Sequence, residues 1–490
     1  MSVPYRRLAA AVAATTALAL AGPASGAPRT QATPLTTQAA ALALAQRTAQ
    51  RVGTTLVTDT PPVSSDNVEL VTTIPGSAAG MRIVGKYAYV TGWTGLTILD
   101  ISTPAAPKVV SVLPIAHFEN EDVESDGKVV LISNDREKES KGGVLYVVDV
   151  HDPANPALAS VLPLGQVTST ERGGGHIANC VKNGCQWVWL TGGWRVWVVD
   201  LRDIHNPLLT GAFATPVTAG SAGFGTPGKV GTGAVHDAER DPAGVVWLTG
   251  SGGAAAYSVT DPVHPRLLTT TGKQGAEEKV NDFILHNSVR PGAASYQPHG
   301  GKALAKGDVL LVTEEDYIDT GETPPGGCRG QGKFQTWDVR SYEHGRTMGL
   351  LDQWKSEVEG VPLLNGSKAP VTANCSSHWF RERNGVAAVG WYEQGLRLLD
   401  TRNPRDIRQV GYWLPPNGVT WGAYWISDDI VYTADAARGI DVLRVTGLKG
   451  SPKTVVAPIR AGWLGAGTTI PFAPSKAWGY ACLQPDVRAG

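Results

Sequence analysis

Three features of this 490-residue sequence predict an all-β fold, a seven-bladed β-propeller whose last blade is closed by an N-terminal strand. A unit of short β-patterned runs recurs seven times. Most units end in an Asp followed by a Pro-rich turn. A lone strand precedes the first unit, while the last unit stops one strand short. Self-similarity with several short strands per unit marks sheets that bury their faces only by stacking on neighbours.

The first unit is the cleanest, YAYVTGWTGLTILDISTPAAPKVVSVLPI from Tyr87 to Ile115. The next three contain VVLISND with GGVLYVVDVHDPANP ending at 156, WVWLTGGWRVWVVDLRDIHNP ending at 207, and VVWLTGSGGAAAYSVTDPVHP ending at 265. The fifth is split between VLLVTEEDY at 309 and FQTWDVRSYEHG at 334. AAVGWYEQGLRLLDTRNPRDI and IVYTADAARGIDVLRVTG, at 387–407 and 430–447, complete the set. Large apolar residues alternate with small or polar ones, as in strands packed between neighbouring sheets. Asp100, Asp149, Asp200, Asp338, Asp400 and Asp441 recur at the end of the third run, with Ser258 in the fourth unit. An Asp before a Pro-rich turn caps backbone amides, so this recurrence reads as turn chemistry. DNVELVTTIPG, residues 66–76, resembles the outer strands of the later units and supplies the fourth strand of the seventh, which removes an exposed edge.

GLTILDISTPAAP, GVLYVVDVHDPANP and GIDVLRV resemble LVIVD repeats, found in secreted and surface proteins of bacteria and archaea. The resemblance spans roughly residues 66–447. It implies a propeller in an exported protein, and it names no reaction, because a fold does not carry a function.

Apolar residues make up 42% of the chain, and 43 Lys+Arg balance 44 Asp+Glu, so charge marks neither a nucleic-acid stripe nor an acidic tail. Arg6 and Arg7, the apolar run Leu8–Ala21 and the small residues Ala24-Ser25-Gly26 predict a signal peptide over 1–26 and a secreted, extracellular protein. The run is too short and Ala-rich to span a membrane well. Residues 27–65 read as an Ala/Thr/Pro-rich linker, 66–447 as the propeller and 448–490 as a C-terminal extension. Five cysteines in an exported chain suggest disulfides: Cys180 with Cys185 across a turn, Cys328 with Cys375 across an insertion, and Cys482 left over.

The histidines carry the functional expectation. Five of the ten, His117, His176, His236, His286 and His378, precede the second strand of a blade by a similar interval, a longer insertion intervening in the fifth. Trp421 and Ala79 stand near that register in the seventh and first blades. This is the start of the innermost strand, where side chains converge on the central channel. Neutral imidazoles are the commonest transition-metal ligands, so the five predict an axial metal site for Cu, Zn, Fe or Mn. Carotenoid oxygenases and the selenium-binding/methanethiol oxidase family, propellers with axial metals on histidines, are analogous at the level of fold. Glu121 and Asp237 are the candidate acid/base partners.

The competing expectation is a non-catalytic scaffold whose histidines are structural and whose loop face holds a small molecule or a cell-surface protein or glycan. Trp93, Trp194 and Trp391 in turns would suit such recognition. Long connections at 214–232, 271–283, 316–333 and 351–373 are expected to surround the channel mouth. Glu314, Glu315, Asp316 and Asp319 form an acidic patch whose oxygens suit Ca²⁺, but without an EF-hand spacing it reads rather as a solvated loop; His151, His205, His264 and His344 read as exposed turn residues. Motifs for nucleotide binding, nucleophile elbows and zincin helices are lacking in the sequence.

Overall fold

The computed structural model describes residues 62–92, 95–115, 123–134, 144–164, 175–218, 234–277, 279–281, 283–315, 332–356, 376–392, 394–415, 418–436 and 438–456. They form seven antiparallel sheets around one axis. Blade 1 runs outward through Met81–Val84, Tyr87–Gly92, Gly95–Asp100 and Lys108–Pro114. The innermost strands of blades 2 to 7 are Val123–Ser125, Ala178–Lys182, Val235–Arg240, Ile284–Val289, Phe380–Arg383 and Thr420–Trp425. Among the described residues no helix is long and apolar enough to cross a membrane.

The ring closes as the lone strand predicted. Val68–Pro75 pairs antiparallel with Gly439–Val445 and becomes the outer strand of blade 7. Val63–Ser64, expected to be linker, pairs with Trp413 and Leu414 as a fifth strand on blade 6. Val455 lies beside it, exchanging hydrogen bonds with Gln409.

Stability comes from the interfaces between blades, each of which holds its own apolar cluster. Leu131, Leu145, Val188 and Val199 fill the contact between blades 2 and 3. Trp189, Val198, Val246 and Tyr257 do the same between blades 3 and 4, almost without solvent access. Large residues of one strand fill the space left by small residues of the next, as Trp247 does against Ala254 and Ala256. Burial at about 25 cal/mol per Å² makes these layers the main stabilising term.

The recurrent aspartates cap turns. Asp100, Asp149, Asp200, Asp338 and Asp400 each accept a backbone N–H two residues on, at 2.8 to 3.1 Å. Asp441 departs from that expectation: it lies inside the strand Gly439–Val445, fully buried, and takes hydrogen bonds from Arg438, Trp413 and Thr73. Cys180 and Cys185 form the expected disulfide. Cys328, Cys375 and Cys482, residues 1–61, Trp93 and most of the long connections lie outside the described residues.

Candidate metal centre

The strand registers align the seven inner strands. At one level they present Ala79, His176, His236, His286, His378 and Trp421, from blades 1, 3, 4, 5, 6 and 7. The four histidines meet at the axis, almost wholly buried. His117 and Glu121 lie outside the described residues.

Local irregularity aims these side chains. Pairing skips His236 between Val235 and Asp237, skips His286 and Asn287 between Leu285 and Ser288, and skips Trp421 between Thr420 and Gly422. A β-bulge turns its extra residue out of the alternation and toward a site. The preceding blade fixes the bulge: Thr191 donates to the His236 carbonyl, and Thr249 to that of His286. Gly192 makes room for His176, since a Cβ there would sit 2.3 Å from the histidine Cβ, at φ +97.

The imidazoles form a chain. His176 Nε2 and His236 Nε2 share a hydrogen bond of 3.0 Å. Ring centroids of His236 and His286 are 3.8 Å apart, and those of His286 and His378 are 4.1 Å apart. His378 donates from Nδ1 to the Trp421 carbonyl at 2.6 Å, which puts the lone pair on Nε2. Glu315 joins them from the end of the second strand of blade 5, its carboxylate 3.7 Å from His286 Nε2 and 4.0 Å from His378 Nε2. Tyr392, after the second strand of blade 6, donates its hydroxyl to that carboxylate. Ligand atoms of His236, His286 and Glu315 all lie within 4.8 Å of one another. Bonds of 2.0–2.1 Å to a tetrahedral ion place ligand atoms about 3.4 Å apart, so this donor set fits an ion with small adjustment.

Sequence reasoning placed Glu315 in an acidic patch away from the histidines, and missed Tyr392. Glu314 and Glu315, expected in a solvated loop, are fully buried; Glu314 pairs with Lys333 at 3.0 Å while Glu315 faces the axis. Asp316 and Asp319 lie outside the described residues. The available signal was a break in the repeat: VTEE and VGWY stand where blades 3 and 4 read LTGG and LTGS. Of the turn aromatics considered for recognition, Trp391 is wholly buried, whereas Trp194 is partly exposed. His151, His205, His264 and His344 are exposed in outer turns.

Among the described residues, the side of the cluster formed by blades 7 and 1 is apolar. Ala79, Val419, Trp421 and Ala436 pack together with Tyr392 opposite the histidine arc. Three residues further along the inner strands, roughly 10 Å at strand rise, the character changes. Here Arg82, Glu124, Glu239 and Arg381 face one another. Arg82 bridges Glu124 at 2.8 Å and Glu239 at 3.5 Å, and Arg381 bridges Glu239 at 3.4 Å, so the ion pairs join blades 1, 2, 4 and 6. Burial raises the Glu124 carboxyl, with Arg82 opposing. Asp237, between the two levels, is pushed up to about 7, first by burial and then by Glu239.

Comparison with curated protein sequences returned no match. Among solved structures the chain is similar to a protein from Lactobacillus plantarum at 10% identity, covering 78% of this chain and 95% of that one, with TM-score 0.49. It is also similar to a putative 6-phosphogluconolactonase from Bacteroides fragilis, at 10% identity, 77% and 92% coverage and TM-score 0.46. The periplasmic gluconolactonase of Pseudomonas aeruginosa gives 11%, 76% and 97%, and 0.49. At such identities none of these bears on the chemistry of this chain. Residues 75–112 match the LVIVD repeat family, and they form most of blade 1. The chain is a seven-bladed β-propeller that carries an LVIVD repeat at residues 75–112.

Proposed function

We propose that the protein is an exported propeller whose axial cluster holds a divalent transition metal. His236, His286 and Glu315 form the core of the ligand set, with His176 and His378 completing the arc. The observation that carries this reading is the convergence of those three buried donors within 4.8 Å. Imidazole and carboxylate donors together suit Zn, Fe, Mn or Cu better than Ca or Mg, which favour all-oxygen sites. The Nδ1 hydrogen bond of His378 to a backbone carbonyl supports the same reading, because metal-bound histidines are oriented in this way.

Among the described residues the candidate ligands occupy one arc of the channel, and Ala79, Val419, Trp421 and Ala436 pack together beside it. A centre that keeps an open position is the catalytic kind, and a metal held there would polarise a small ligand or water. The Cys180–Cys185 disulfide supports export, since such bonds persist in oxidising compartments.

Metal analysis of the protein purified without chelators tests the proposal. We expect one equivalent of Cu, Zn, Fe or Mn, and none in a variant carrying His236→Gln with His286→Gln. Protein that arrives metal-free and takes up none of the four overturns it, and leaves a binding scaffold with structural histidines.

A further inference from the structure

Tyr392 stands out from the scaffold on backbone grounds. Four described residues other than glycine have positive φ: Asn183, Ser341, Asn384 and Tyr392, the last at 41°. Asn tolerates this region through its short polar side chain, and Ser is small. A tyrosine gains nothing from it, so its surroundings must impose the conformation.

The Tyr392 carbonyl accepts hydrogen bonds from Gly395 at 3.1 Å and Thr420 at 2.8 Å, which ties the turn of blade 6 to the inner strand of blade 7. Its ring lies 4.8 Å from the His378 imidazole and 6.4 Å from Trp421. Its hydroxyl, buried with the rest of the side chain, donates to Glu315 Oε1. Blades 3 and 4 have Gly193 and Ser251 at this turn, so the repeat does not require an aromatic residue here.

We propose that Tyr392 is a positioning residue of the axial centre. The strained turn carries the phenol across the blade boundary to hold one Glu315 oxygen, leaving the other directed at His286. A carboxylate anchored on one oxygen binds an ion through a single oxygen and keeps its place when the ion leaves. This rests on the metal reading above and adds to it the residue that sets the carboxylate's geometry.

Co(II) is the probe, because its visible spectrum reports ligand geometry. Wild type, Tyr392→Phe, Glu315→Gln and the double variant are stripped of metal, checked by circular dichroism and titrated with Co(II). Tyr392→Phe is expected to bind Co(II) 10–100-fold more weakly, the usual range for lost outer-shell partners, with an altered visible band. On the Glu315→Gln background the same change is expected to alter affinity less than about twofold, because the tyrosine acts through the carboxylate. Wild type that binds Co(II) while Tyr392→Phe matches it in affinity and spectrum overturns this inference and leaves the metal site standing. Equal losses in both backgrounds overturn it too. Wild type that binds no Co(II) overturns both readings. Should Tyr392→Phe not fold, Glu315→Gln carries the test, since an unchanged affinity and spectrum there shows that no anchored carboxylate matters.

Discussion

The two levels of the central channel are built from the same inner strands, three residues apart, and they differ in almost every respect. One gathers His176, His236, His286 and His378 with Glu315, wholly or almost wholly buried, with ligand atoms of His236, His286 and Glu315 within 4.8 Å of one another. The other holds Arg82, Glu124, Glu239 and Arg381, already paired with one another and partly open to solvent. Cations and anions that neutralise each other across a channel bind the blades together and recruit nothing further. Imidazoles crowded against a carboxylate are the donor types that share a cation. On the proposal above, binding belongs to the first level, while the ion pairs of the second join the blades.

The sharpest way to break this division is to remove donors from the first level. If the proposed centre holds a metal, replacing His236 and His286 with Gln should weaken its binding by at least about a thousandfold, because each substitution would remove a coordinate bond. Shape is kept by the substitution, so the metal-free melt should move by only a few degrees. Calorimetric titration with a matched melt reads both. A large drop in melting temperature with metal affinity intact would exchange the roles of the two levels.

The second level should respond in the opposite sense. Arg82→Ala leaves Glu124 buried beside Glu239 without its cation, and breaking such a pair costs about 3 kcal/mol. Metal affinity should stay within a few-fold. The loss should also depend on pH. The folded-state pKa of Glu124 is raised, so its contribution to stability is complete below the unfolded carboxyl value and is lost as pH rises through the folded value. Arg82 holds that folded value down, so removing it should shift the descending limb to higher pH and make the variant's deficit smaller in acid than at neutrality. Denaturant unfolding at several pH values checks this; a deficit that grows toward acid would sink it.

How much of this division could be read from the chain depended on whether a residue followed the repeat. Seven units, the closing strand and the Asp-capped turns all follow from periodicity, because hydrogen-bonded sheets demand alternation and turns demand particular residues. The axial histidines recur in register and so were visible as a set. Glu315 and Tyr392 were not, because the position varies from blade to blade, Gly193 and Ser251 in blades 3 and 4, and it reaches the axis from a second-strand turn rather than from an inner strand. The pairing of Arg82 with Glu239 was hidden for another reason. It joins blades 1 and 4 across the axis, a contact that no sequence spacing encodes. Asp441 misled because it matches the repeat letter while sitting inside its strand, where it holds Arg438.

A smaller effect should come from the disulfide, which lies on the side of the charged level. Cys180 stands at the register shift in the inner strand of blade 3, and Cys185 donates its N–H to Asp126 of blade 2 at 3.2 Å. The bond closes a loop of only five residues' separation, so replacing both cysteines with Ser should cost about 2 kcal/mol. Calorimetric melting in the presence and absence of reductant should agree with the double variant. Metal affinity should not follow, since the bond supports the wall of the channel rather than the ligands.

The smallest effect concerns the repeat itself. Asp200 accepts the Arg202 backbone N–H at 3.1 Å and pairs with its largely exposed guanidinium, which holds the aspartate below the usual carboxylate range. Asn keeps an acceptor for the backbone N–H and loses only the ion pair, so Asp200→Asn should cost less than about 1 kcal/mol. Asp200→Ala removes the cap as well and should cost somewhat more. Neither should alter metal uptake, because this turn stands at the periphery of blade 3, away from the axis. If Asp200→Asn abolished metal binding while the melt held, the recurrent aspartates would belong to the site and the division between the two levels would fail. Thermal melts with metal analysis of the two variants decide between a turn residue and a ligand.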